Sequence, residues 1–110
     1  MIKLKGTIKA DSKTGGKIAG AFSGEGMHLT LTGQFDFLPR GFDIADAEVN
    51  FDKSEPPSGS MTFSGVIGPW DILLNMKDGV ATISGSLEDE YPGGQSLKVT
   101  GRVVWTAKEA

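Results

Sequence analysis

His28 is the single histidine in a chain of 110 residues without cysteine, so acid–base chemistry must be built around it or around carboxylates. A histidine acting as general base needs a carboxylate to orient it and a reacting group within reach. Glu25 stands close before it, and Asp36 follows in the same run. These residues are the whole inventory for an enzyme, and a surface histidine beside an acidic turn is the commoner meaning of such a grouping. The missing cysteines remove thiol nucleophiles, disulfides and thiolate metal sites together. Asp43, Asp46, Glu48, Asp52, Glu55 and Glu88-Asp89-Glu90 supply many more carboxylates. No spacing among them fixes a pair for glycoside cleavage, and the stretch from Asp43 to Asp52 lacks the glycine-turn order of a calcium loop. Gly20-Ala21-Phe22-Ser23-Gly24-Glu25-Gly26 departs from the dinucleotide fingerprint in spacing and falls in a hairpin rather than before a helix. The sequence implies no cofactor and no metal, and it favours binding over catalysis.

Aromatic residues give the stronger binding lead. Trp70 follows Gly68-Pro69 at the start of an apolar run, Trp105 ends the last such run, and Tyr91 precedes Pro92 in a loop. At the mouth of a barrel, beside Asp or Asn, these side chains would hold a small molecule or glycan, which makes Trp70, Tyr91 and Trp105 candidate ligand-binding residues. The competing meaning is packing. Both tryptophans have the parity of the buried face, and tryptophan is usually largely buried.

Charge is divided along the chain. Residues 1–17 carry five lysines and one aspartate, whereas residues 18–55 carry two basic and seven acidic groups. Residues 56–90 are again acidic, residues 91–110 are basic, and the formal net charge is −3. If the first and last strands pair, Lys3, Lys5, Lys9, Lys98 and Arg102 gather on one outer wall as an interaction surface. Such a dipolar surface would steer an anionic partner or favour self-association as a homo-oligomer. Like charges on neighbouring strands mildly oppose that pairing. Nucleic acid is disfavoured, because the balance is acidic and no aromatic shares the basic face to stack on a base.

The elements that must position these groups are strands. Leu29, Leu31, Phe35 and Phe37 share one parity with Gly33, and Thr30, Thr32, Gln34 and Asp36 share the other. Period-two alternation of this kind marks a strand with one buried face. A glycine-centred version recurs with apolar flanks at Leu4-Lys5-Gly6-Thr7-Ile8, Ile18-Ala19-Gly20-Ala21-Phe22 and Leu31-Thr32-Gly33-Gln34-Phe35. It returns at Phe63-Ser64-Gly65-Val66-Ile67, Ile83-Ser84-Gly85-Ser86-Leu87 and Val99-Thr100-Gly101-Arg102-Val103. Strands are expected at about 2–9, 17–23, 28–37, 45–52, 60–67, 70–77, 80–88 and 96–106. Asp43-Ile44-Ala45-Asp46 allows a short helical turn capped by Asp43, although alternation onward to Phe51 favours a strand. Thr14-Gly15-Gly16, Gly24-Glu25-Gly26, Lys77-Asp78-Gly79 and Tyr91-Pro92-Gly93-Gly94 are turn chemistry.

Short turns between strands with one apolar face predict a single all-β domain over 1–106. The expected architecture is a small antiparallel β-barrel of about eight strands, mainly an up-and-down meander, with a two-sheet sandwich as the alternative. Residues 107–110 are expected to fray. A glycine inside a strand costs roughly 0.5–1 kcal/mol relative to alanine, so six of them need a use. Three uses fit: sharp strand coiling, room for a ligand at the barrel's waist, or a face for association. No apolar run reaches membrane-spanning length, and no signal-peptide pattern opens the chain, which reads as a cytoplasmic protein without a transmembrane segment. The functional expectation is a non-enzymatic binding module for a small ligand or glycan, at the barrel interior or a loop end. A homo-oligomeric assembly protein using its sheet surface is the alternative, and an enzyme using His28 comes third.

Overall fold

Ile18, Phe22, Leu29, Leu31 and Phe35 are buried, while Lys17, Ala19, Thr30, Thr32 and Gln34 face outward. The same alternation runs through eight strands of a computed structural model that describes residues 2–52, 54–91 and 96–109. The strands are β1 (Ile2–Asp11), β2 (Lys17–Gly24), β3 (Met27–Phe35) and β4 (Phe42–Phe51). They continue with β5 (Gly59–Ile67), β6 (Asp71–Met76), β7 (Ala81–Ser86) and β8 (Leu97–Glu109). They close into an antiparallel barrel in the order β1-β2-β3-β8-β5-β6-β7-β4, so the barrel stands and the sandwich does not. The domain is all-β.

The up-and-down runs are β1-β2-β3 and β5-β6-β7. After each run the next strand returns to lie beside the first: β4 pairs with β1, and β8 pairs with β5. That is the Greek-key order, met twice. The two units join where β3 pairs with β8 and β4 with β7. The first and last strands are therefore not neighbours, because β2 and β3 stand between β1 and β8. Closure leaves no free edge for another chain to extend.

Turn chemistry sets the hairpins. Glu25 and Gly26 both have positive φ, 51° and 75°, as a primed two-residue turn requires between right-twisted strands. A 3-10 turn at Lys77–Gly79 joins β6 to β7. Another at Ser12–Thr14 joins β1 to β2, with the Asp11 side chain accepting from the Lys13 N–H at 2.8 Å. The turn expected at Tyr91-Pro92-Gly93-Gly94 lies, beyond Tyr91, outside the described residues.

One expectation is sharpened, and two change at strand ends. The segment from Asp43 to Asp46 is strand, with a register shift where Gly6 pairs with Ala47 but Ile8 with Ile44. Ala45 and Asp46 together oppose Thr7, a β-bulge, so Ile44 and Ala47 are both buried despite opposite parity. Phe37 leaves the apolar face: β3 ends at Phe35, Phe37 is 68% exposed, and Leu38 is buried at the barrel end instead. The tail does not fray through 107–109, since Ala107, Lys108 and Glu109 pair with Leu29, His28 and Met27. Strand β3 is long enough to offer them a ladder.

Candidate functional site

The barrel interior is filled with side chains. Phe35 meets Phe63 edge to face at 5.2 Å and Phe42 at 6.1 Å, while Phe22 lies 6.3 Å from Trp105. Glycine parity points inward, but the six glycines open no room at the waist. A methyl group on Gly6, Gly33 or Gly65 would fall onto the backbone carbonyl of Ala21, Arg102 or Leu73 on the adjacent strand. On Gly101 it would meet the Phe63 ring, on Gly85 it would lie 2.8 Å from Ile44 Cγ2, and on Gly20 3.2 Å from Ile8 Cγ1. Glycine is needed where coiled strands press together. The belt is therefore a bend and not the ligand cavity that was one of the expectations.

The three candidate ligand-binding aromatics separate. Trp105 is 2% exposed, and its Nε1 donates to Met76 Sδ at 3.4 Å. Tyr91 is 5% exposed; its hydroxyl donates to the Arg40 carbonyl at 2.6 Å and accepts from the Arg40 N–H at 3.2 Å. Both serve packing. Burial pushes the Tyr91 hydroxyl above the usual phenol range, against smaller opposing effects of the Arg40 N–H and guanidinium. Trp70 is 53% exposed, contrary to its inward parity, because β6 begins only at Asp71 and the loop carries the indole outside the alternation. Trp70 and Tyr91 share one barrel end, where the Leu87 N–H donates to the Trp70 carbonyl and the Tyr91 N–H to the Pro69 carbonyl. Trp105 pairs with Gly59 at the opposite end of β5. A shallow hollow of about 230 Å³ at the loop end is lined by Arg40, Phe42, Glu88, Asp89, Glu90 and Tyr91 among others.

His28 and Asp36 do not meet. His28 is the second residue of β3 and pairs with Ser23 and Lys108, while the Asp36 N–H, past the far end of the strand, donates to the Thr100 carbonyl. Glu25 is exposed in the β2–β3 turn. Asp36 Oδ2 accepts from Thr100 Oγ1 at 2.5 Å. Among the described residues, no three His, Asp or Glu side chains gather to hold a metal ion.

The basic residues divide by strand. Lys3 Nζ lies 3.6 Å from Glu48 Oε2, and Lys5 stands opposite Glu48, so these two lysines face acidic β4. Lys98 stands beside Val66 of β5. The expected gathering of all five fails because β1 and β8 are not adjacent. Lys9 and Arg102 nevertheless line one groove of about 1030 Å³ on the outer wall over β1, β2, β3 and β8.

Register explains that groove as two rows across the strands. One row runs Asp11, Lys17, Gln34, Arg102, and the next runs Lys9, Ala19, Thr32, Val104. The short side chains of Ala19 and Thr32 make the floor, and the longer ones form the sides. Gln34 Nε2 donates to the Gly15 carbonyl at 2.9 Å, which fixes its amide. Lys9, Lys17 and Arg102 form no ion pair within 4 Å among the described residues. Lys17, Gln34 and Thr32 were not among the expected site residues. Their outward parity was readable, but their meeting with Arg102 depends on β8 lying beside β3, which no local pattern encodes. Nor do relatives supply it: no protein-family model, curated protein or solved structure matches the chain.

Proposed function

We propose that this chain is a non-enzymatic binding protein that takes a small ligand or glycan on its outer wall, in the groove over β1, β2, β3 and β8. One observation carries the reading: cationic, amide and hydroxyl side chains from four strands converge on a concavity with a short-side-chain floor. A mostly apolar site with a few placed polar groups is the usual form of a ligand site. The packed interior supports an outer site rather than an inner one. A thermal-shift screen of sugars and metabolites tests it, since a ligand of the folded state raises the melting temperature. Ala19→Trp should fill the groove without touching the core, because Ala19 is exposed. Ligands that stabilise the parent should then fail to stabilise the variant. Hits that stabilise both equally would place binding elsewhere.

The loop end is the second reading, favoured by the exposed indole of Trp70 at the same barrel end as the hollow lined by Phe42, Tyr91 and the acidic run Glu88-Asp89-Glu90. Trp70→Ala would then abolish the stabilisation and Ala19→Trp would not. Self-association remains the alternative class. With no sheet edge to pair, it would have to use side chains, such as half-buried Val66 beside Leu73, which is 45% exposed. Light scattering decides: a monomer at high concentration argues against it.

A further inference from the structure

We propose that the ligand of the outer groove is an acidic oligosaccharide, a sugar chain bearing carboxylate or sulfate groups; this rests on the groove being the binding site. Lys17 and Arg102 flank Gln34 in one cross-strand row, so their backbones stand two strand spacings apart, about 10 Å. Lys9 lies in the neighbouring row. Cations so separated suit anionic groups spaced along a chain better than one compact phosphate. Asp11 and Asp36 also line the groove, and Asp43 stands opposite Lys9. Three cations among three carboxylates accept sparse negative charge and disfavour a dense polyanion. Between the cations stand hydroxyl and amide groups, Thr32 and Gln34, over the apolar surface of Ala19 and Val104. Ring hydroxyls and the C–H faces of a sugar match both. The groove has no exposed aromatic side chain, the platform on which single-stranded nucleic acid stacks its bases; Phe35 touches it only from the core. Its open form over a sheet face also fits an extended chain.

The probes are a galacturonate tetrasaccharide, a carrageenan-type tetrasaccharide with one sulfate per disaccharide, neutral maltotetraose and an octameric deoxythymidylate. Binding is followed by calorimetry and by amide shifts in NMR spectra of the intact chain. One or both acidic sugars should bind and shift the amides of Ala19, Thr32 and Arg102, more weakly as salt is raised. The carboxylate and sulfate arms identify which anion is preferred. Lys17→Gln with Arg102→Gln should weaken binding by about tenfold or more, whereas Lys77→Gln, distant in the strand order, should leave it unchanged. Neutral sugar binding as tightly, deoxythymidylate binding more tightly at the same amides, or no acidic sugar binding would each overturn the proposal. Other ligands shifting these amides while acidic sugars do not would refute the ligand class and leave the groove standing. Acidic sugars shifting only amides around Trp70 would refute the groove itself.

Discussion

Tyr91 shows how one hydroxyl can close a barrel end. Its ring is buried, while its oxygen both donates to and accepts from the backbone of Arg40, tying the β3–β4 loop to the segment after β7. Replacing it with phenylalanine leaves a carbonyl and an N–H without that partner, which costs about 1–2 kcal/mol. Urea unfolding of Tyr91→Phe should show that loss at neutral pH. The pH dependence follows from the raised hydroxyl pKa. The folded state holds the proton more firmly than the unfolded chain, whose phenols titrate near about 10. The contribution is therefore complete below that pH and disappears as pH rises through the folded value. Between pH 8 and 11 the parent should lose more stability than Tyr91→Phe, and the difference between the two curves isolates this group from the lysines. Parallel curves would show that the hydroxyl titrates alike in the folded and unfolded chain, with no raised pKa.

Strands explain the glycines, and the glycines are not equivalent. A methyl group on Gly33 would fall on the Arg102 carbonyl, so β3 and β8 must part to admit it. Gly33→Ala should cost about 3 kcal/mol. On Gly20 the nearest atoms are Ile8 Cγ1 and the Thr7 carbonyl at 3.2 Å, a contact that small shifts relieve. Gly20→Ala should stay within about 1 kcal/mol of the parent, because alanine also restricts the unfolded chain. Equal losses in urea unfolding would mean that strand propensity, not collision, governs both. The glycine parity and nearly all the strands were legible in the sequence, because alternation needs only neighbours along the chain. Phe37, Trp70 and Ala107 were misplaced for one reason: the ends of strands depend on what lies beside them. Leu38 takes the buried place that parity assigned to Phe37, and β3 extends a ladder to residues 107–109. Removing residues 107–110 should therefore lower the melting temperature by several degrees, consistent with about 1–2 kcal/mol for the lost ladder. An unchanged melting temperature would mean these pairings contribute nothing.

At the scale of the molecule, two Greek keys share one core, and the groove exists only where they meet. Lys17 and Gln34 belong to the first key and Arg102 to the second, which is why the site could not be read from either half of the chain. The covalent link between the keys is the segment after Phe51 and before Gly59. It runs over one barrel end, with Ser54 donating from its N–H at 3.0 Å and its Oγ at 2.9 Å to Asp52 Oδ1. If side-chain packing and the β3–β8 and β4–β7 ladders hold the keys together, that link is dispensable. Ile2, paired with Phe51, and Glu109, paired with Met27, stand at the same barrel end, across a section of 23 × 22 Å. A linker of about ten residues, reaching ~33 Å when extended, can join them. A circular permutant opened between Glu55 and Pro56 and closed through such a linker should keep the fold, since exposed loops tolerate new termini. Its urea unfolding should remain one cooperative transition, within about 2 kcal/mol of the parent. Two separate transitions, or an unfolded product, would show that the keys need their original connection. A folded permutant would also retain the groove, because every residue in its two rows keeps its cross-strand partner; equal binding of the groove's ligand by parent and permutant is the readout.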